Sequence, residues 1–467
     1  MSCHKGLLLF LSCILASSSA IQAERASNAN ATYQQLRTLL PGREEVTVHE
    51  LVIHREAATL TLHDGVVNLY GAVNGKWTGG VFKGHGHLHM EPPSAAEKHN
   101  LKILTHNMAF DEDFEEAVLR FTDNTAEELR AAATAKGEAS SPLHKPAEDL
   151  QSYVRHHWSE NLDLRLLQDV LSPAPGGYFL ANIHGTTNSR LILRIDPHGV
   201  NEVSPEEVEL VNVSSWGNSI PVACHRSVEY ANGATPNGDE HNAAYRIVDE
   251  NLDTTIEKNG FLSGLATVQV RSQVDGLAVV PLNLFPTLRV SAVTTEKGEA
   301  LDFVQEKKDE DAEFGVVLAK PLQKGELTTL KITYGGKDAV KNEGAGNYYP
   351  VARMNWYPNS QQRLGDFVNY HMFFHVAKPM TLVATGSKIG EKTDGKIVTT
   401  EWKTDDPLAV VGFNLGEFVS QTETSGNAAH PLKVEAFANR EPPEFLSQLA
   451  DKGPFGSLST TPMLPQE

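Results

Sequence analysis

Alternation of apolar and polar residues predicts β-structure over much of this chain. Leu60 and Leu62 alternate with polar residues in the segment TLTLHDG, as expected for a half-buried strand. The pair Asn74-Gly75 separates the segments GVVNLYGAV and KWTGGVF and is typical of a tight hairpin turn. The whole region 45–106 is therefore predicted to consist of strands.

Helical spacing replaces this alternation further along the chain. The apolar residues of DFEEAVLRF (113–121) recur every three or four positions and predict a helix. Thr125 with Glu128 forms a capping box for the helical turn that follows. A second helix is predicted from about Pro146. Its apolar stripe comprises Leu150, Tyr153, Val154, Leu166, Leu167 and Val170. Strands resume in GYFLANIHG, RLILRIDP and EEVELVNV.

The order of these elements divides the chain into parts. Residues 24–235 are predicted to form an N-terminal β/α module, whose first residues, 24–45, are polar and expected to be poorly ordered. Turn-forming residues at 231–242 mark a boundary, and residues 243–420 contain short strands at about ten-residue spacing. Residues 421–467 are polar and proline-rich. We predict a mainly β fold with a helical insertion, in which the module precedes a β-sandwich or saddle-like domain.

The N-terminus has the pattern of a secretory signal peptide. Lys5 precedes the apolar run 6–16, and small residues lead to Ala20 and Ala23, near which cleavage is expected. The run is too short to span a bilayer as a helix. Residues 1–23 are therefore predicted to direct export, which places the mature chain in a periplasm or outside the cell with no membrane partner.

Charge and cysteine content narrow the range of partners. The chain has 467 residues, with 40 Lys and Arg against 59 Asp and Glu, which gives a net charge of -19. This charge repels nucleic-acid backbones and anionic membrane surfaces, so neither is expected as a partner. Cys3 and Cys13 lie in the predicted signal, and Cys224 alone excludes an intrachain disulfide and a cysteine-based zinc site in the mature chain.

Three histidines in the segment GHGHLH are the first candidates for chemistry. His85, His87 and His89 occupy alternate positions, so on a strand their side chains lie on one face with neighbours about 7 Å apart. Two or three such imidazoles could bind zinc, but the sequence identifies no fourth ligand. We expect a solvent-facing structural strand here, and a metal site is the alternative.

Two other histidine pairs are poorer candidates. His49 and His54 in HELVIH are one residue further apart than the histidines of a zinc-binding H-E-x-x-H helix, and on a strand this odd spacing predicts opposite faces. His156 and His157 are adjacent on the second predicted helix. The sequence contains no G-x-S-x-G, no phosphate-binding glycine loop and no cysteine nucleophile in a suitable setting. These residues therefore predict no catalytic, cofactor-binding or metal-binding site.

A series of motifs between residues 348 and 418 resembles a known domain. The series is A-R-x-x-aromatic-P, a strand F-x-V-x-x-P, a glycine hairpin, a Trp, a Pro and a strand F-x-x-G-x-F. The residues that carry it are Ala352, Arg353, Trp356, Tyr357, Pro358, Phe374, Pro379, Gly386, Trp402, Pro407, Phe413, Gly416 and Phe418. This series resembles the N-terminal β-domain of the aminopeptidase N family of zinc metallopeptidases. It implies that Trp356 and Trp402 lie in the core of that domain.

The resemblance extends over residues 243–420. The segments LNL (282–284) and LRV (288–290) resemble early strands of the family's β-domain, and residues 325–336 resemble a later one. Residues 45–230 resemble an additional N-terminal β/α module found in some secreted bacterial members.

The catalytic motifs of the family are missing from this sequence. Neither H-E-x-x-H nor G-x-M-E-N occurs, and HMEPP (89–93) shares only the Met-Glu pair. The family's β-domain lends a Gln and a Glu to substrate binding just ahead of the A-R pair, but here that stretch reads GNYYPV (346–351), so no substrate-binding residue is implied. The tail GPFGSLSTTPM (453–463) resembles the first strand of the catalytic domain. Residues 421–467 are therefore expected to be a linker and the truncated start of that domain.

Three hypotheses follow. In the first, the chain is the non-catalytic N-terminal portion of an exported aminopeptidase N-like protein, inactive alone, and its partner is its own catalytic domain, where the zinc resides. In the second, it is a free-standing exported β-sandwich module that binds protein, peptide or glycan. In the third, it is a periplasmic metal binder that uses His85, His87 and His89. An H-E-x-x-H reading frame just downstream of codon 467 would favour the first over the second.

Overall fold

The structure, a computed structural model, describes ten segments of the chain. They are residues 29–158, 160–198, 206–214, 217–230, 243–307, 313–344, 346–351, 355–360, 367–425 and 432–439. Their α-helices are α1 (29–38), α2 (Ala95–Thr105), α3 (Thr125–Ala132), α4 (His144–His157) and α5 (Leu162–Leu171). None of these helices is long and apolar enough to cross a membrane.

The N-terminal module is built on one antiparallel sheet. Its described strands are β1 (Pro41–Arg55), β2 (Ala58–Tyr70), β3 (Gly79–Met90), β4 (Phe110–Phe121), β5 (Ala135–Glu138), β6 (Phe179–Gly185), β7 (Leu191–Ile195), β8 (Val208–Ser214) and β9 (Gly217–Cys224). They are ordered β5-β1-β2-β3-β4-β6-β7-β8-β9. Sequence neighbours pair from β1 to β4 and from β6 to β9, as consecutive strands usually do.

Helices contribute to the cores on both faces of this sheet. On one face, Leu101 of α2 and Leu129 of α3 belong to the same buried cluster as Phe82. On the other face, residues of α1, α4 and α5 pack against Val118 and Leu180. Part of the sheet is therefore covered on both sides, which explains why the covered ends of its central strands are rich in apolar residues.

Strand β4 lies where the sequence predicts a helix. The segment 113–121 pairs with β3 and with β6, so the helical prediction is wrong. Residues 117–121 are buried without interruption because both faces of β4 are covered at this end. A strand buried on both faces loses its period of two, and its apolar residues then match helical spacing by chance.

The capping box predicted for Thr125 does not form. Asn124 is the N-cap of α3, and Thr125 is the first helical residue. The hydroxyl of Thr125 donates to Asp123 Oδ1 at 2.5 Å, and Glu128 accepts from Arg55 at 2.9 Å. Long-range pairing with Arg55 therefore replaces the local contact that the motif predicts.

Two helices lie where none was predicted. Helix α2 interrupts the region 45–106 and begins at a capping box, in which Ser94 Oγ accepts from Glu97 N and Ser94 N donates to Glu97 Oε2. Helix α1 (29–38) and the start of β1 lie within 24–45, where poor order was expected, and Tyr33 of α1 is 1% exposed. Both predictions are wrong, because contacts with distant strands stabilise these short helices.

The helix predicted from Pro146 consists of two helices. Helix α4 ends at His157, and Asn161 starts α5 by accepting a hydrogen bond from Leu164 N at 2.9 Å. The residues of the predicted apolar stripe are buried, which confirms the face that packs on the sheet: Leu150, Tyr153, Val154, Leu166, Leu167 and Val170.

The second half of the described chain is almost entirely β. Its strands are β10 (Tyr245–Ile256), β11 (Leu262–Ser272), β12 (Leu277–Asn283), β13 (Arg289–Thr295), β14 (Ala300–Gln305), β15 (Glu313–Leu322), β16 (Leu327–Gly336), β17 (Val340–Asn342), β18 (Tyr348–Pro350), β19 (Asn369–Ala377), β20 (Thr381–Ala384), β21 (Ser387–Asp394), β22 (Ile397–Lys403), β23 (Phe413–Gly416), β24 (Phe418–Ser425) and β25 (Leu432–Asn439). The mainly β fold with a helical insertion is thus confirmed.

These strands form a large sheet and two smaller ones. The large sheet has the order β12-β15-β14-β13-β16-β11-β10-β19-β22-β21, in which β10 and β19 are parallel. A small sheet, β17-β18-β23-β20, packs beside it, and β24 pairs with β25 in a hairpin. Strand β24 continues through residue 420, where the sequence suggested the β-domain ends.

The N-terminal module and the β-domain share an apolar core. Residues of β12, β14 and β15 join the buried cluster of α1, α4 and α5; they are Ala278, Val279, Val304 and Val317. Polar contacts flank this core. The hydroxyl of Tyr33 donates to Glu306, and Asn161 N donates to Glu313 Oε2 at 3.0 Å. Burial of both apolar and paired polar groups holds the two parts together.

Candidate functional site

Strand β3 presents the three histidines of GHGHLH on its solvent face. His85 is exposed, and His87 and His89 are half-buried, as the alternation predicts. Gly86 between them faces the core, where an added Cβ would lie 2.5 Å from the ring of Phe114. Close packing against Phe114 therefore explains why residue 86 is a glycine. The histidines lie on the opposite, solvent-facing side of the strand.

Carboxylates of strand β4 face these histidines. The register of β3 and β4 pairs His87 with Asp113 and His89 with Asp111. His87 Nδ1 lies 2.7 Å from Asp113 Oδ1, and His87 Nε2 lies 3.2 Å from Asp111 Oδ1. His89 Nδ1 lies 2.8 Å from the same Asp111 oxygen. Two imidazoles therefore share one carboxylate.

This arrangement shifts the proton equilibria of the network. Burial by itself lowers the pKa of His87, but hydrogen bonds to Asp113 and Asp111 outweigh burial and leave the pKa raised. The hydrogen bond with His89 is the main cause that lowers the pKa of Asp111. The network thus favours charged imidazolium next to charged carboxylate.

A His87→Gln variant is expected to lose stability mainly at low pH. Because the pKa of His87 is raised in the fold, its protonated form stabilises the protein below the ordinary pKa of about 6.5. This contribution is lost as the pH rises through the raised pKa. Thermal unfolding across this range should show the difference between wild type and variant shrinking toward alkaline pH. His54→Gln, whose ring contacts Thr59 Oγ1, is the control, and a pH-independent difference would contradict the account.

Zinc is expected to bind this network weakly. Within the described residues, no group of three or more His, Cys, Asp or Glu is arranged to hold a metal ion. Both ring nitrogens of His87 already face carboxylate oxygens. Calorimetric titration should therefore show no stoichiometric zinc binding at micromolar concentrations. Micromolar binding that disappears in His87→Ala and persists in His54→Ala would contradict this expectation.

The histidines of HELVIH lie on one face of β1, not on opposite faces. Glu50 between them has a positive φ of 47°, which shifts the alternation, so His49 and His54 are both exposed. The prediction from odd spacing is therefore wrong. Five residues of extended chain still separate the two histidines by about 16 Å, too far for one metal ion.

The histidine pair at the end of α4 is placed as predicted. His156 and His157 are both exposed on the last turn of the helix. His156 Nδ1 lies 2.7 Å from Ser152 O, and the ring of His157 lies 5.4 Å from that of Tyr153.

The motif residues of the β-domain meet in one aromatic cluster. The ring centroid of Trp356 lies 4.9 Å from that of Tyr357, 5.7 Å from Phe374 and 5.1 Å from Phe413. Trp356 is 3% exposed and Trp402 is 8% exposed, which confirms that both tryptophans are core residues. The preceding pair, Ala352 and Arg353, lies outside the described residues.

The glycine of the predicted hairpin is also required by the structure. Gly386 has a φ of 92°, and an added Cβ would lie 2.4 Å from Lys403 O. Any other residue there would be strained and would clash with the neighbouring strand. The spacing of the motifs therefore reflects the geometry of this sheet.

A cleft opens beside the GNYYPV stretch. It has a volume of about 390 Å³, and its walls include Tyr348 and Tyr349 of β18, Phe418 of β24 and Phe437 of β25. Glu343 at its edge binds Lys341 Nζ at 2.6 Å and accepts from the Tyr349 hydroxyl at 2.9 Å, and these hydrogen bonds lower its pKa. The sequence did not predict this cleft, because its walls come from segments far apart along the chain.

Comparisons with known proteins add a structural likeness. No family model and no curated protein sequence matches this chain. The M1 zinc metallopeptidase of Deinococcus radiodurans, as a single-residue mutant, is 20% identical with a TM-score of 0.37. The match covers 43% of this chain and 49% of that one, so it spans about half the length of the Deinococcus protein.

A further solved structure, of aminopeptidase A from Legionella pneumophila in complex with aspartic acid, is 11% identical with a TM-score of 0.35. That match covers 42% of this chain and 24% of the Legionella protein. The solved structures that this chain resembles are thus M1 zinc metallopeptidases and aminopeptidases, the class that the motif series also resembles.

Proposed function

We propose that this chain is the non-catalytic N-terminal portion of an exported aminopeptidase N-like protein. Its β-domain docks on a zinc-dependent catalytic domain and shapes the access of substrates to it. Export is supported by the signal-peptide pattern of residues 1–23, which ends at small residues near Ala23.

The observation that carries this proposal is the aromatic cluster. Trp356, Phe374 and Phe413 come from separate parts of the motif series, and they pack ring against ring in one core. This shared core is what the resemblance predicts for these motif positions. The motif series therefore supplies residues of the core of this β-domain.

The docking surface is proposed at the cleft beside Tyr348. This cleft is lined by Asn347, Tyr348 and Tyr349, which lie just ahead of the Ala352-Arg353 pair of the motif series. The hairpin that forms one wall carries the exposed apolar residues Val434 and Phe437, which are 50% and 40% exposed. Exposed apolar groups next to a cleft are typical of a surface that another domain covers.

The zinc of the family is proposed to reside in that catalytic domain. The described residues of this chain do not suit it, since they contain no group of three or more His, Cys, Asp or Glu that could hold a metal ion. A zinc peptidase requires three protein ligands and an adjacent general base.

The chain alone is expected to show no peptidase activity. The reason is the absence from the sequence of the H-E-x-x-H and G-x-M-E-N motifs. The purified chain is assayed with aminoacyl-anilide substrates and added zinc. Turnover that a chelator abolishes, and that follows the chain through purification, would contradict the proposal.

Docking is tested with variants of the hairpin. The genomic sequence after codon 467 is first searched for an H-E-x-x-H domain; that domain is then expressed separately and titrated with this chain, with calorimetry as the readout. Val434→Asp should weaken the complex, because it places a charge on the proposed interface. Val52→Asp is the matched control, since Val52 is similarly exposed, at 48%, on β1 of the other module. Equal binding by both variants, or no downstream H-E-x-x-H domain, would refute the proposal.

A further inference from the structure

A second cavity opens on the N-terminal module, away from the cleft of the β-domain. It has a volume of about 730 Å³ and lies where the end of α4 meets β6, β8 and β9. Its walls include Tyr153 and His157 of α4, His184 of β6, Arg190 ahead of β7, and Val213 of β8. A volume of this size accommodates a small organic molecule.

The charge of the lining distinguishes this cavity from the rest of the molecule. Its described lining residues include Arg190, His157 and His184 but no Asp or Glu, although the chain as a whole has a net charge of -19. Glu116 pairs with His184 across the strands and does not line the cavity. A pocket that is lined by a guanidinium and by no carboxylate favours negatively charged ligands.

Arg190 is positioned at this cavity by stacking. Its guanidinium carbon lies 4.5 Å from the centroid of the Tyr153 ring. Within the described part of the chain, the Arg190 side chain has no hydrogen-bond or ion-pair partner. Stacking on an aromatic ring orients the guanidinium plane and leaves its N–H groups able to donate to a ligand.

Tyr153 forms an aromatic wall of this cavity. The residue is 9% exposed, and its hydroxyl is buried with no hydrogen-bond partner among the described residues. A buried hydroxyl without a partner destabilises the fold, because its desolvation is not compensated. This hydroxyl is closed off from the cavity, so a bound molecule can contact only the ring of Tyr153.

We propose that this cavity is a binding site for a small organic anion. A carboxylate or phosphate group of the ligand accepts hydrogen bonds from Arg190 and His157. The uncharged part of the ligand packs against the Tyr153 ring and Val213. This site is independent of the proposed docking of a catalytic domain.

Calorimetric titration of the full chain tests the site with four probes: inorganic phosphate, glucose 6-phosphate, glucuronate and glucose. At least one anion should bind at one site per chain, and uncharged glucose should not. Preference between the phosphorylated and the carboxylated sugar identifies the anionic group.

Variants then assign the binding to the cavity. Arg190→Gln should lower the affinity for the anion by about tenfold or more, since it removes a charge-assisted hydrogen bond. Arg43→Gln, at an exposed position of β1 away from the cavity, is the matched control and should leave affinity unchanged. His157→Gln should also weaken binding, and it carries the test if circular dichroism shows Arg190→Gln to be unfolded. Absence of anion binding, equal binding of glucose, or equal affinity of these variants and wild type would overturn the proposal.

Discussion

Trp356→Ala is expected to destabilise the protein by about 3–5 kcal/mol, a large share of the stability of a domain. The indole fills the centre of the aromatic cluster and contacts the rings of Tyr357, Phe374 and Phe413. Its Nε1 donates to Val411 O at 3.0 Å. The variant loses this hydrogen bond and leaves a cavity that its neighbours fill only in part.

Chemical unfolding followed by far-ultraviolet circular dichroism measures this loss as a lower transition midpoint. Trp77→Ala is the control. The ring of Trp77 is partly buried and lies under the Arg130 guanidinium at 4.0 Å, so a smaller change is expected. A Trp356→Ala midpoint equal to that of wild type would show that the motif series does not define the core.

Arg194→Met is expected to destabilise the N-terminal module by about 3–5 kcal/mol. Arg194 is 1% exposed and forms ion pairs with Glu160 and, at 3.1 Å, with Glu209. Glu209 is itself 2% exposed. Burial raises the pKa of Glu160 even with the arginine beside it. Without the guanidinium, buried carboxylates remain with no opposing charge.

An exposed ion pair provides the comparison for this prediction. Arg130→Met breaks the contact with Glu44, and a pair of this kind contributes at most about 1 kcal/mol. Adding Glu209→Gln to Arg194→Met should restore part of the lost stability, because it removes one of the unpaired charges. Destabilisation by Arg194→Met no larger than by Arg130→Met would contradict the predicted cost of burial.

Strands with one buried and one solvent-exposed face could be predicted from the sequence. Along β11, buried and exposed residues alternate from Leu262 to Ser272, so the period of two is visible in the sequence itself. The core positions of Trp356 and Trp402 could be predicted only through the motif series, because each packs against strands far away along the chain.

Elements whose stability depends on distant contacts could not be predicted. Helix α1 looks polar, and the partner of its buried Tyr33 is Glu306, which lies 273 residues away. The second half of β4 is buried on both faces, so its sequence shows no alternation of apolar and polar residues. In both places local pattern conflicts with tertiary packing, and tertiary packing determines the structure.

The candidate sites were predictable to different extents. The shared face of His85, His87 and His89 follows from their alternation on β3. The position of their carboxylate partner Asp111 could not be predicted, because Asp111 belongs to β4, whose sequence pattern predicts a helix. The cavity at Arg190 and the cleft at Tyr348 depend on loops and strands brought together by the fold, and no local motif marks either.

Hydrogen–deuterium exchange of the complex tests the docking proposal most directly. The chain is compared alone and with the proposed catalytic domain, provided that an H-E-x-x-H reading frame follows codon 467. The account predicts slower exchange in residues 343–349 and in strands β24 and β25, which surround the cleft, and unchanged exchange in strand β3 of the histidine face. Protection at β3 in place of the cleft, or no protection anywhere, would contradict the claim that this β-domain docks on a catalytic domain.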